Sequence, residues 1–358
     1  MLPLKPPVKP MLASPVDKIP SSGGYVFEPK WDGFRCLVFR DGDEVTLQSR
    51  SGKPLQRYFP EVLDVLRRRL PDRVVTDGEL MVTIGNRLDF DALSERVHPA
   101  ASRIARLAEE TPASYVAFDL LSRGDTVLVE QPTTARQRAL TELLDGRTGD
   151  GLYRTPITAD PELAKDWFTH FEGAGLDGLI GKPADSGYAE GKRTMIKIKH
   201  ARTADCVVAG LRWHVAEAER EAVGSLLLGL HDDSGVLHHV GVVGSFPAAR
   251  RRELAKELSE LMNGAERDHP WLGEDAHDGR RLPGSVNRWR STEQPWVPLR
   301  GERVVEVSYE HTEGAVPSRF RHNAQFVRWR PDREPASCRY DQLEEPVRYD
   351  LDAVLRGS

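Results

Sequence analysis

The chain has 358 residues, 39% of them hydrophobic and 29% charged, with a formal net charge of −5. That length supports two domains, the apolar fraction argues against wholesale disorder, and the mild negative charge excludes a global attraction to a polyanion. No apolar run is long enough to cross a membrane, and the lead-in MLPLKPPVKPMLASP carries no secretory pattern. Cys36, Cys206 and Cys338 stand far apart and form no CxxC pair, which argues against a disulfide framework and a structural zinc site. The expected compartment is reducing, the cytoplasm or the nucleus. Eleven lysines stand against thirty-nine arginines. Each lysine is therefore informative, because arginine cannot serve as an amine nucleophile near neutral pH.

In chain order, a Pro-rich extended lead-in is followed by expected strands at 25–27, 35–40 and 45–48, with Asp41-Gly42 as a hairpin turn. Phe59, Leu63, Leu66 and Leu70 recur at helical spacing over 57–70, and Pro71 follows as a stop. Further strands are expected at 74–76, 115–118 and 179–180, and helices at 89–108, 134–145 and 160–172. This mixture predicts an α+β domain with antiparallel strands over 1–202. Beyond it, over 203–358, strands are expected at 206–211, 225–230, 237–243, 303–309 and 325–329, with one helix at 248–262. Five short strands and one helix suit an OB-fold β-barrel. Residues 200–205 form the expected linker.

Several segments carry possible chemistry. Glu28-Pro29-Lys30-Trp31-Asp32-Gly33-Phe34-Arg35 places a lysine beside a turn and an arginine. Neighbouring positive charge and partial burial lower the pKa of such an amine, which can then attack carbon or phosphorus. An isolated match of this kind is equally a surface hairpin. Met195-Ile196-Lys197-Ile198-Lys199 puts two ammonium groups on one strand face, suited to a phosphate chain, or forms an edge strand with exposed lysines. Asp77 and Glu79 share a strand face, and Asp177 opens a second DG segment; carboxylates there suit Mg²⁺ or ribose hydroxyls, although most DG pairs are turns. Phe118, in Tyr115-Val116-Ala117-Phe118-Asp119, can stack on a base or fill a core. Residues 315–333 hold Arg319, Arg321, Arg328, Arg330 and Arg333 against the single acid Asp332, and residues 279–303 form a second basic stretch with Trp289 and Trp296 interleaved. Both fit phosphate-backbone contact, or a solvated surface in an arginine-rich protein.

Taken in order, these segments resemble the covalent nucleotidyltransferases, specifically the ATP-dependent DNA ligases. KWDGFR at 30–35 resembles the nucleophile motif KxDGxR, and SRSG at 49–52 a ligase motif with an SRxG core. DGEL at 77–80, YVAFDLL at 115–121, DGLIGK at 177–182 and MIKIK at 195–199 resemble the next four motifs. FVRWRPDR at 326–333 resembles the C-terminal motif. The lead-in MLASP and VVEVSYE at 304–310 are similar to the short bacterial ligases of the LigC and LigD-ligase-domain kind. Asp177 stands where the family usually has Glu, and Arg333 where it usually has Lys.

The resemblance implies that Lys30 attacks the α-phosphorus of ATP, that AMP passes to the 5′-phosphate of nicked duplex DNA, and that the 3′-hydroxyl then displaces it. It implies catalytic roles for Lys30, Lys197, Lys199, Arg330 and Asp332. It assigns nucleotide contacts to Glu28, Arg35, Arg50, Glu79 and Phe118, as well as to Lys197 and Lys199. Asp177 and Glu79 would hold Mg²⁺, with Mn²⁺ as a substitute. A bacterial repair setting follows, nucleoid-associated, with Ku or a primase-polymerase as company and no separate N-terminal DNA-binding domain. The rival readings are an mRNA-capping guanylyltransferase, an RNA ligase and a catalytically idle OB nucleic-acid binder. An NAD-dependent ligase lacks support in the chain's length and cysteines.

Overall fold

The structure is a computed structural model and describes all residues except 22–23, 215–220, 273–281, 284–294, 315–316, 344–346 and 357–358. It divides into two compact units, Met1–Lys199 with Pro346–Ser358, and His200–Glu345.

The first unit is built in three layers. Its larger sheet runs in the order Glu44–Ser49, Phe34–Asp41, Arg73–Ile84, Ala113–Arg123, Thr126–Val127. Alternation along these strands fills two cores at once. Cys36 and Val38 join Val62, Leu66, Leu140 and Leu144 of the helices Pro60–Arg69 and Thr133–Leu144. Leu37 and Phe39 face the other way, toward Met11, Tyr188 and Met195. That second face is covered by a four-stranded sheet in the order Leu12–Pro15, Arg193–Ile198, Leu179–Pro183, Tyr25–Pro29.

Most expected strands and helices of this unit are present, the strands with longer limits and the helices with similar or shorter ones. Four differences are physical. The expected helix at 89–108 is two helices, Phe90–Glu95 and Ala101–Glu110, because Pro99 cannot continue the first. Leu12–Pro15 of the lead-in pairs in parallel with Arg193–Ile198, so that strand is interior to its sheet and not an edge. Asp77-Gly78 lies inside the strand Arg73–Ile84 and makes no turn. The last residues belong to this unit, with Leu351 and Val354 buried beside Trp167 and Phe171.

The second unit holds a five-stranded antiparallel sheet, in the order Leu237–Val243, Val223–His231, Arg202–Trp213, Val297–Tyr309, Gln325–Trp329. A parallel bridge links Val243 to Ala324. The helix Ala248–Met262 packs Leu254, Leu258 and Leu261 onto this core. The expected linker at 200–205 is mostly strand, since Arg202–Asp205 pair with Tyr309–Glu306. Among the described residues no helix is long and apolar enough to cross a membrane.

Gly78 sits where a Cβ would lie 2.4 Å from both Tyr115 Cζ and Val116 O, the latter backbone that cannot yield. Gly78→Ala is expected to cost at least about 1–3 kcal/mol, read as a lower midpoint in denaturant melts.

Candidate active site

Between the two sheets of the first unit lies a cleft lined by Glu28, Lys30, Arg35, Arg50, Glu79, Phe118 and Lys197, with Met11, Trp31, Ile180, Arg193 and Met195 among the other walls. Seven residues singled out in the sequence therefore converge. Lys30 follows the strand Tyr25–Pro29, where the chain crosses from one sheet to the other. Its amide donates to Gly178 O (2.8 Å), and Asp177 donates its own amide to Lys30 O (2.9 Å). Gly178 has φ +107°, and a Cβ there would meet Ile198 O at 2.1 Å, so only glycine permits this exchange. The result brings the Asp177 carboxylate onto Lys30 Nζ, and Asp177 Oδ2 also receives Lys199 Nζ at 3.0 Å. Lys197, one pleat earlier in Arg193–Ile198, lines the cleft itself.

Arg35 is held by Asp77 through both carboxylate oxygens, with Nε–Oδ1 at 2.6 Å. Its guanidinium lies 4.6 Å from the centroid of the Phe118 ring. Lys182 approaches the same ring (4.9 Å), donates to Phe118 O (2.7 Å) and pairs with Glu28 (3.0 Å). Asp119 is 3.7 Å from Lys182 and makes a fully buried two-point pair with Arg136. Burial pushes the Glu28 carboxyl up from 4.5 to about 7, although Lys182 pulls it down. Burial likewise raises half-buried Glu79 to about 8, against the pull of Arg35 and Lys30. Arg50 is exposed at the cleft edge, in the turn that follows Glu44–Ser49.

Arg330 and Asp332 belong to the second unit. Arg330 Nη1 meets both oxygens of Asp205 at 3.0 Å, and its Nη2 meets Asp332 at 2.8 Å. The hydrogen bond from Arg330 holds Asp332 down at about 2. Arg333 also reaches Asp205 (3.1 Å), Arg328 pairs with Glu306 (2.6 Å) and Arg319 with Glu313. Four of the five arginines read along 315–333 are thus paired in space with acids from other strands. Of the second basic stretch, Arg300 pairs with Glu302 (2.6 Å) and Arg303 with Glu257 (3.6 Å). Arg280, Arg281, Arg288, Trp289 and Arg290 lie outside the described residues, as does Ala315.

Sequence reasoning missed Tyr188, Arg136 and Asp119 as neighbours of the site. The alternation of Asp77 with Glu79 placed Asp77 on the cleft side, but nothing in the sequence showed that it grips Arg35. The scarcity of lysine and the DGLIGK segment at 177–182 were the signals that pointed to Lys182.

Two family models match the chain: the ATP dependent DNA ligase domain over residues 10–199, and the ATP dependent DNA ligase C terminal region over 219–333. The chain is 50% identical to DNA ligase C of Mycobacterium tuberculosis, over 99% of each chain. It is 52% identical to DNA ligase C2 of Mycolicibacterium smegmatis, over 96% of each. A solved structure from work on Lig E DNA ligases is 17% identical, with a TM-score of 0.54 over 90% of this chain and 99% of that one. That last likeness is one of fold.

The folded protein keeps the Glu28 proton to a higher pH than the unfolded chain does. Its contribution to stability is full below about pH 4.5 and is lost as pH rises toward 7. Glu28→Gln is expected to flatten the fall in melting temperature across that interval, measured by thermal melts at stepped pH.

Proposed function

The chain belongs to the ATP-dependent DNA ligases, and on that footing we propose that it seals 3′-hydroxyl, 5′-phosphate nicks in duplex DNA through an AMP carried on Lys30. The observation that carries the reading is the Lys30 ammonium, at the wall of a cleft that also gathers Glu28, Arg35, Glu79, Phe118 and Lys197.

In the first step, Lys30 Nζ bonds to the α-phosphorus of ATP as the bond to the bridging oxygen breaks, and pyrophosphate leaves with the electron pair. Asp177 orients Nζ, which gives up one proton to become an amine before attack and a second as the P–N bond forms, both passing by way of Asp177 toward solvent. Lys197 and Lys199 offset the charge that develops on the transferring phosphate. Phe118 stacks on adenine with Glu28 at its edge, while Arg35 and Glu79 hold the ribose. In the second step an oxygen of the nick's 5′-phosphate bonds to the α-phosphorus as its bond to Lys30 Nζ breaks, and the lysine leaves as an amine that takes up a proton. In the third, the 3′-hydroxyl oxygen bonds to that phosphorus and AMP leaves. Arg50, exposed at the cleft edge, contacts a phosphate of the nick. Arg330 and Asp332 orient pyrophosphate in the first step only.

The residues fit a cation carried in on the nucleotide. Among the described residues no three His, Cys, Asp or Glu side chains converge, whereas Glu79 and Asp177 offer hard carboxylate oxygens at the cleft and beside it. Mg²⁺, with Mn²⁺ as a substitute, would meet these two carboxylates and neutralise phosphate charge.

We read the second unit as an OB barrel. In chain order its strands run 3-2-1-4-5 across the sheet, the helix Ala248–Met262 falls between the third and fourth, and the parallel Val243–Ala324 bridge joins the third to the start of the fifth. Residues 1–202 and 203–358 are the proposed functional domains, the chain's last turn aside, with a hinge near residue 200. A cytoplasmic, nucleoid-associated repair role beside Ku or a primase-polymerase completes the proposal.

The test is label transfer. With Mg²⁺ and α-labelled ATP, label is expected on the denatured wild-type chain and not on Lys30→Ala; label from GTP in place of ATP overturns the reading in favour of capping. Arg330→Ala is expected to lose most Lys30 adenylylation while still sealing a pre-adenylylated nick. Equal loss of both activities contradicts its assigned step.

A further inference from the structure

Behind the cleft wall lies a buried hydroxyl that no motif includes. Tyr188 follows the strand Leu179–Pro183 and is 6% exposed. Its hydroxyl donates to Asp77 Oδ2 at 2.6 Å and accepts from the amide of Met11 at 3.1 Å. Asp77 is the carboxylate that grips Arg35, and Arg35 Nη2 in turn donates to Met11 O at 3.3 Å. Four groups therefore close a ring: Tyr188 to Asp77, Asp77 to Arg35, Arg35 to Met11 O, and Met11 N back to Tyr188. Arg35 and Met11 are both walls of the cleft, while Tyr188 and Asp77 do not line it.

The ring fixes a direction. Asp77 alone holds Arg35 in a plane, but a carboxylate is free to turn about its own bonds. The Tyr188 hydroxyl limits that turning with a further hydrogen bond to Oδ2, and in a buried setting such a bond is both strong and costly to leave unmade. It also ties the backbone of the lead-in to the same point, so the wall at Met11 and the guanidinium over Phe118 are set together. Tyr188 is satisfied as one donor and one acceptor, with its ring against the guanidinium of Arg136 at 5.8 Å.

We propose that Tyr188 is a positioning residue for nucleotide binding, which acts through Asp77 to orient Arg35 against the ribose and base of ATP; this rests on the ligase reading of the cleft. Tyr188→Phe keeps the ring and removes one oxygen. Tyr115 is the matched control: it is equally buried, and its hydroxyl meets only Thr76 (3.0 Å) and Cys36 O (3.3 Å), behind the sheet.

The measurement is the dissociation constant of α,β-methylene ATP with Mg²⁺ by calorimetry, together with the rate of Lys30 adduct formation against ATP concentration. For Tyr188→Phe, affinity is expected to weaken about tenfold and the ATP concentration for half-maximal rate to rise in step, with a much smaller change at saturation. Tyr115→Phe is expected to lower the melting temperature comparably and leave both nucleotide constants unchanged. In an Arg35→Lys background, Tyr188→Phe is expected to add little, because the two act as one unit. Unchanged affinity in Tyr188→Phe overturns the proposal, as does equal weakening in both tyrosine variants or full additivity with Arg35→Lys. Wild-type protein that neither binds the analogue nor takes label from ATP overturns the ligase reading itself, and the positioning role with it.

Discussion

A lysine at the wall of a cleft between two sheets is useful only if something fixes where its amine points. Here one oxygen of Asp177 receives two ammonium groups, from Lys30 and from Lys199. The backbone makes it possible: two hydrogen bonds lock Lys30 to the Asp177-Gly178 pair, and the glycine conformation brings that segment against Ile198. Lys30, Asp177 and Lys199 come from three segments distant in the chain. The four-stranded sheet is what makes them neighbours, and the placement of the remaining cleft residues follows from how that sheet lies on the larger one.

Burial between sheets has a second effect. Charged groups in a medium of low dielectric must be paired, or they shift toward neutrality. Asp119 with Arg136 and Asp77 with Arg35 are paired at two points each. Glu28 and Glu79 are compensated only in part, and both are pushed toward the neutral form. The two carboxyls with least compensation are the two that face the cleft, where a ligand and its cation would supply what the protein withholds.

Much of this was legible in the sequence, and what was not has physical causes. Motif order located the cleft residues, because a fold that must bring several polar groups together keeps them in fixed succession along the chain. Alternation placed Asp77 and Glu79 on one face correctly. Pairing partners were invisible: that Asp77 holds Arg35, or that Tyr188 holds Asp77, depends on register between strands, which no local pattern encodes. Charge counted along a window for 315–333 could not show that Glu313, Glu306 and Asp205 reach those arginines from other strands. The break at Pro99 is readable in the sequence, since proline cannot continue a helix. The tail at Leu351 and Val354 is too short for its periodicity to announce a core contact.

The parallel pairing of Leu12–Pro15 with Arg193–Ile198 has a bearing on how the molecule is made. A chain leaving the ribosome presents its first strand long before the partner strand exists. The four-stranded sheet, and with it the meeting of Lys30 and Lys199, must wait until nearly 200 residues have emerged. The contacts of Leu351 and Val354 arrive later still, after the whole of the second unit has been synthesised. Vectorial synthesis thus favours completion of the second unit before the first is sealed. Until residues 193–198 emerge, the segment Leu12–Pro15 has no strand to pair with, and is one for a chaperone to shield.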